Sequence, residues 1–212
     1  RASDGQPQTF IVNGQPQTSI FVGREPASLA FDGENIWVAA FQDWNVVKLK
    51  ANDGTLLGSI GVKDAYGLAF DGTNIWVANN SADGSITKIA ATGNVQVLDV
   101  VHTGRSFVVS LAFDGSNLWA LNSGSQCVTK LRLSDNANQG CYGAGFNAVS
   151  VAFDGTSIWV PSDTTLFKYR ASDGTLLAAL PRGTATANYS NVAFDGANVW
   201  VTSSTTNTVS KH

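Results

Sequence analysis

Ala69-Phe70-Asp71-Gly72-Thr73-Asn74-Ile75-Trp76-Val77-Ala78 decides the fold, because its anchor, Ala-Phe-Asp-Gly followed by a tryptophan, occurs five times. The other anchors start at Ala30, Ala112, Ala152 and Ala193. The tryptophans, always at one offset, are Trp37, Trp76, Trp119, Trp159 and Trp200. A period of roughly 40 residues with apolar alternation marks a β-propeller with one four-stranded blade per repeat.

In the second repeat Leu68-Ala69-Phe70 reads as the inner strand a and residues 71–74 as a turn. Residues 75–78, 85–89 and 95–100 read as strands b, c and d. Alternation sends Leu68 and Phe70 to one side and Gly67 and Ala69 to the other. A bulky face then meets a small one between blades, which fills space at core density. The five tryptophans are expected in that core. The five aspartates are expected to do turn work, through an Asx-type bond beside a glycine that tolerates positive φ. The expected fold class is all-β: a five-bladed propeller of four-stranded antiparallel blades, one domain over residues 1–212.

The 212 residues are 43% hydrophobic and only 14% charged, against roughly 25% charged in ordinary soluble domains. Polarity comes instead from Ser, Thr, Asn and 21 glycines, which suits short strands and tight turns. The net charge of −3 and the absence of any Lys/Arg run argue against a nucleic-acid partner. No apolar stretch is long enough for a membrane span. A start at Arg1 with no methionine fits a processed chain or an excerpt of a longer one.

The fifth repeat ends at Thr208-Val209-Ser210-Lys211-His212, which completes three strands. Arg1-Ala2-Ser3-Asp4-Gly5 repeats Arg170-Ala171-Ser172-Asp173-Gly174. Residues 1–23 are therefore expected to supply the closing outer strand of the last blade, which would remove a sheet edge. Two candidates exist, Thr9-Phe10-Ile11-Val12 and Ser19-Ile20-Phe21-Val22; the second keeps the normal spacing. Donation of a terminal strand to another copy is the alternative.

Cys127 and Cys141 are the two cysteines. A hairpin folded near residue 134 places them opposite each other, close enough for a cross-strand disulfide. A disulfide points to a secreted, extracellular or periplasmic protein; a buried thiol pair is the cytosolic alternative. The chain has no Cys-x-x-Cys, and neither His102 nor His212 is near the pair in sequence, so redox or metal chemistry there is not expected.

The anchor, the Val46-Val47-Lys48-Leu49 strand and the Asp53-Gly54-Thr55-Leu56-Leu57 turn resemble bacterial propellers of the NHL and YVTN type. They also look like the streptogramin (virginiamycin B) lyase-like group. The resemblance implies a propeller, commonly of six or seven blades, where this chain has five. Lyase activity would imply a histidine base and a divalent metal at the ring centre. Neither His102 nor His212 matches that arrangement, and Glu25 and Glu34 do not cluster with them by repeat position. No acid–nucleophile carboxylate pair of the glycosidase kind stands out, and no sugar-site motif of the five-bladed tachylectin type is present. No cofactor is expected; a central-channel cation is the alternative.

Function is expected where the repeats differ. The a-to-b and c-to-d turns are alike, whereas the b-to-c and d-to-a loops of the other face vary. The candidate ligand-binding residues are Phe41, Asp43, Trp44, Tyr66, Asn80, His102, Arg105, Phe107, Tyr142 and Tyr189. Asn79, Asp83, Asn122, Gln126, Phe146, Asn147 and Arg182 share these loops. Trp44 is the one tryptophan outside the repeat position, beside Asp43, and the sharpest candidate. Aromatics among amides and hydroxyls suit a protein or carbohydrate ligand. The expected role is a non-catalytic extracellular binding or scaffold propeller. The alternatives are a self-assembling subunit, through terminal strand exchange or ring stacking, and a lyase or hydrolase working at the channel mouth around His102.

Overall fold

The computed structural model describes residues 10–12, 15–17, 19–181, 191–204 and 206–212. Every helix or strand element in it is a β-strand, and no helix is long and apolar enough to cross a membrane. Strands β1 (Phe10–Val12) and β2 (Gln15–Gln17) pair with each other. Blade one is β3 (Pro26–Phe31), β4 (Asn35–Ala40), β5 (Asn45–Lys50) and β6 (Leu56–Gly61). Blade two is β7 (Ala65–Phe70), β8 (Asn74–Asn79), β9 (Ser85–Ala90) and β10 (Val97–His102). Blade three is β11 (Val108–Phe113), β12 (Asn117–Asn122), β13 (Cys127–Arg132) and β14 (Ala137–Gly143). Blade four is β15 (Ala152–Phe153), β16 (Ser157–Pro161), β17 (Thr165–Arg170) and β18 (Leu176–Pro181). Blade five is β19 (Val192–Phe194), β20 (Val199–Ser203) and β21 (Thr208–Lys211). All pairings are antiparallel, and the inner strands β3, β7, β11, β15 and β19 meet in that order around the axis. The fold is the five-bladed all-β propeller expected.

Each blade is locked by the same three side chains. The indole Nε1 donates to the turn aspartate: Trp37 to Asp32, Trp76 to Asp71, Trp119 to Asp114, Trp159 to Asp154 and Trp200 to Asp195, at 2.7–2.8 Å. A lysine directly across the ladder covers the other side of each ring: Lys48, Lys88, Lys130, Lys168 and Lys211, at 4.5–5.8 Å. Such cation–π contacts add roughly 0.5–2 kcal/mol, more when desolvated. The aspartates thus do more than turn work. Their Oδ1 caps the turn amides, as Asp71 does for Thr73 and Asn74, while Oδ2 receives the indole.

Neighbouring blades pack the tryptophan face of one against the Leu/Ile/Val face of the next. Trp37, Ala39 and Val46 meet Leu68, Ile75 and Ile89 in this way. Two lysines also reach across: Lys48 Nζ donates to the Ala91 carbonyl at 2.7 Å, and Lys130 Nζ to those of Ala171 and Ser172. Around the axis the amide of one blade donates to a serine hydroxyl of the blade before it, Leu68 to Ser28, Val151 to Ser110 and Val192 to Ser150. Gly67 holds the equivalent place in blade two, where a Cβ would fall 2.6 Å from the Val109 carbonyl oxygen. The inner strands approach too closely there for any side chain.

Two expectations need correction. Cys127 and Cys141 form the disulfide, but they are not opposite each other. Cys127 pairs with Gly143, and Cys141 with Thr129. The hairpin is centred between residues 134 and 135, where Arg132 pairs with Ala137, and a register shift between Thr129 and Leu131 moves β14 one residue further, so the bridge is diagonal, with Cα atoms 5.7 Å apart. Trp200, expected in the core with the other four repeat tryptophans, is 39% exposed. The strand expected to close the last blade falls partly outside the described residues, at 1–9, 13, 14 and 18. Among the described residues β21 has no outer neighbour, and β1 takes β2 as its partner. Ile20 and Val22 instead pack on Val38, Val47 and Leu49 of blade one. Ile60 and Val62 pack on blade two in the same way. Residues 19–22 therefore reach the closing position through side chains, without backbone pairing. Residues 1–9 lie outside the described residues.

Candidate functional site

The b-to-c and d-to-a loops share a repeated frame. In the d-to-a loops Glu25, Asp64 and Phe107 take positive φ, and their carbonyls accept the amides of Phe41, Asn80 and Ser123. In the b-to-c loops the equivalent turn residue is Trp44, Gly84, Gln126 or Asn207, with φ between 52° and 64°. Glycine and asparagine enter that region cheaply; a bulky residue there is a true outlier, and such strain runs to about 1–3 kcal/mol. Trp44 holds it while the residue is 54% exposed. Its amide donates to the Phe41 carbonyl and its carbonyl accepts the Val62 amide.

Around Trp44 the structure assembles one cluster. Lys63 Nζ lies 5.9 Å from the indole centroid. Phe41 meets Tyr66 edge to face, with ring centroids 5.5 Å apart. Tyr66 is the second residue of β7 rather than part of a loop, and it also lines a channel cavity of about 310 Å³ together with Ser28, Gly67, Ser110 and Asn191. The cluster therefore runs from the rim to the channel mouth. Asp43 has a supporting part. Both its oxygens accept from Arg24, from the amide at 2.8 Å and from Nε at 2.6 Å, and these bonds hold its carboxyl below the usual range.

The remaining candidates fall elsewhere. His102 was expected in a loop at the channel mouth; it ends the outer strand β10, with Nδ1 3.3 Å from the Asp83 carbonyl. The outer strand is the one farthest from the axis, so the histidine is remote from the channel. Arg105 and Phe107 follow it, exposed, and Asn80 is half-buried on the neighbouring loop. Tyr142 was expected in a loop and lies in β14. Its ring packs between Trp119 and Tyr169, and its hydroxyl donates to the Asp173 carbonyl, so it belongs to the joint between blades three and four. Tyr189 and Arg182 lie outside the described residues.

Sequence reading overlooked Lys63 and Asp163. Asn147 Nδ2 donates to Asp163 Oδ2 at 2.7 Å beside the exposed Phe146, and Asp163 Oδ1 is buried without a partner. The available signal for Lys63 was its place directly before the positive-φ residue Asp64. Among the described residues no three His, Cys, Asp or Glu side chains converge.

No protein-family model matches the chain, and no curated protein matches it. Among solved structures, hydrazine synthase of Kuenenia stuttgartiensis is similar, with a TM-score of 0.68 at 15% identity. The match covers 84% of this chain and 55% of the other, so this chain spans about half the length of that one. At that identity the likeness speaks for the propeller fold alone.

Proposed function

We propose that this propeller is a non-catalytic recognition module whose ligand, a protein or a carbohydrate, docks on the b-to-c and d-to-a face around Trp44. The carrying observation is the tryptophan itself. A large ring is held at positive φ and half exposed, at a turn where the other blades place Gly84, Gln126 or Asn207. Strain kept at an exposed aromatic is the pattern of a residue retained for contact. Phe41, Tyr66 and Lys63 extend the patch with apolar faces and hydrogen-bond donors. The diagonal disulfide supports an extracellular or periplasmic setting. The NHL- and YVTN-type resemblance stays within this proposal, as does the absence of a nucleic-acid partner.

The experiment has two arms. The chain is applied to a glycan array and used to select from a displayed peptide library, each with wild type and Trp44→Ala. The expected result is a hit in one arm that Trp44→Ala weakens at least tenfold while the fold is retained. Hits unaffected by Trp44→Ala, or none in either arm, contradict the reading.

A further inference from the structure

The Trp44 patch continues into the channel. The Trp44 amide donates to Phe41, the Phe41 ring meets Tyr66 edge to face, and Tyr66 lines the cavity of about 310 Å³. Its polar side chains are Ser28, Tyr66, Ser110 and Asn191, and no Lys, Arg, Asp or Glu among the described residues lines it. Ser28 Oγ accepts the Leu68 amide at 3.1 Å, and Ser110 Oγ accepts the Val151 amide at 3.2 Å. Both hydroxyls are thus held by the next blades, and each keeps its own proton to donate. The Asn191 carboxamide offers a donor and an acceptor together.

We propose that this cavity takes one uncharged sugar unit of a carbohydrate whose adjoining part lies on Trp44. The proposal rests on the reading that this face binds a ligand, and it chooses carbohydrate over protein. Size is the first reason. The cavity stands at the low end of ligand pockets, which run from roughly 300 to 1,000 Å³. It admits one small group and not the surface of a folded partner. Polarity is the second. A charged group would give up its hydration with no opposite charge facing it. An apolar group would leave the serine hydroxyls and the Asn191 amide without partners. Sugar hydroxyls both donate and accept, so they satisfy these side chains without bringing charge. The exposed Trp44 ring suits the C–H face of a pyranose, and Lys63 beside it supplies a further donor.

The test offers neutral oligosaccharides, uronate-bearing oligosaccharides and displayed peptides to wild type, Trp44→Ala, Ala27→Phe and Val149→Phe. Ala27 and Val149 both line the cavity, so a phenyl ring at either fills it. Ala27 is exposed, so the change there displaces no core, and circular dichroism checks each fold. The expected result is a neutral oligosaccharide hit that Trp44→Ala and the folded cavity-filling variants each weaken at least tenfold. A Trp44-dependent hit that is a peptide, that requires a uronate, or that the filled cavity leaves unchanged overturns the proposal and keeps the Trp44 reading. A neutral oligosaccharide hit lost on filling the cavity but indifferent to Trp44→Ala upholds the channel site and overturns the Trp44 reading. No hit in any class overturns both.

Discussion

Thr103 Oγ1 donates to Asn122 Oδ1 at 2.8 Å inside the propeller, and one blade earlier the same bond is missing. Val62 holds the place of Thr103; the amides of both bond to the preceding b-to-c turn, at Trp44 and Gly84. Asn79 holds the place of Asn122, and its Oδ1 is buried without a partner. A buried acceptor left unpaired costs about 1–3 kcal/mol. Val62→Thr is therefore expected to raise stability by about 1 kcal/mol, although Val→Thr in a core ordinarily lowers it. Thr103→Val is expected to lower stability by about 1–3 kcal/mol. Urea midpoints at constant slope check both, and a destabilised Val62→Thr would count against the pairing.

The five tryptophans share one hydrogen bond but not one environment. Trp76 is buried between blades two and three, whereas Trp200 is 39% exposed. Trp76→Ala is expected to cost about 3–5 kcal/mol, as large core truncations do. Trp200→Ala removes less buried surface, and about 1–2 kcal/mol is expected. Urea midpoints of the two variants check this, and equal losses would contradict the difference in burial.

Acid stability follows from the same aspartates. Burial pushes Asp71 up, but the Trp76 indole and the amides of Asn74 and Thr73 outweigh it and leave its carboxyl below the ordinary 3.8. Asp32 and Asp154 behave alike. At Asp195 the Trp200 indole leads, joined by the Asn198 and Ala197 amides, and the carboxyl lies far below its usual range. A folded-state value below the unfolded one contributes stability that is present above the unfolded pKa. That stability is lost as pH falls through the folded value. Urea midpoints should thus show no loss from these groups down to about pH 4 and then fall. Asp71→Asn should flatten that fall. A main loss above pH 5 would contradict the assignment.

Much of this was legible because one unit is written five times. The anchor marks the inner strand, the turn and the second strand together, so blade count and four of the five core tryptophans follow from the sequence; Trp200 is exposed. The Asp–Trp bond was missed because turn chemistry already accounted for an aspartate before glycine. Only the ladder shows that the residue five places on returns its indole to the same carboxylate. The diagonal disulfide was hidden by a turn centred between residues 134 and 135 and by a register shift in β13–β14, neither of which hairpin symmetry about residue 134 reveals. Residues 19–22 were identified as closing residues, yet side-chain docking on blade one and backbone pairing to β21 are separate events, and alternation predicts only the first. In the site, Trp44 stood out by breaking the repeat. Its positive φ could be inferred only by aligning it with Gly84 and Asn207. Tyr142 misled because a loop tyrosine and an inter-blade tyrosine look alike in sequence.

The most direct measurement on the account pairs thermal stability with ligand capture for Trp44→Asn. Asparagine suits the positive φ that Asn207 already adopts. The account predicts a melting temperature at or above wild type together with loss of the ligand hit that wild type gives. A Trp44→Asn chain that still binds like wild type, or that unfolds, would contradict the claim that this tryptophan is kept for contact.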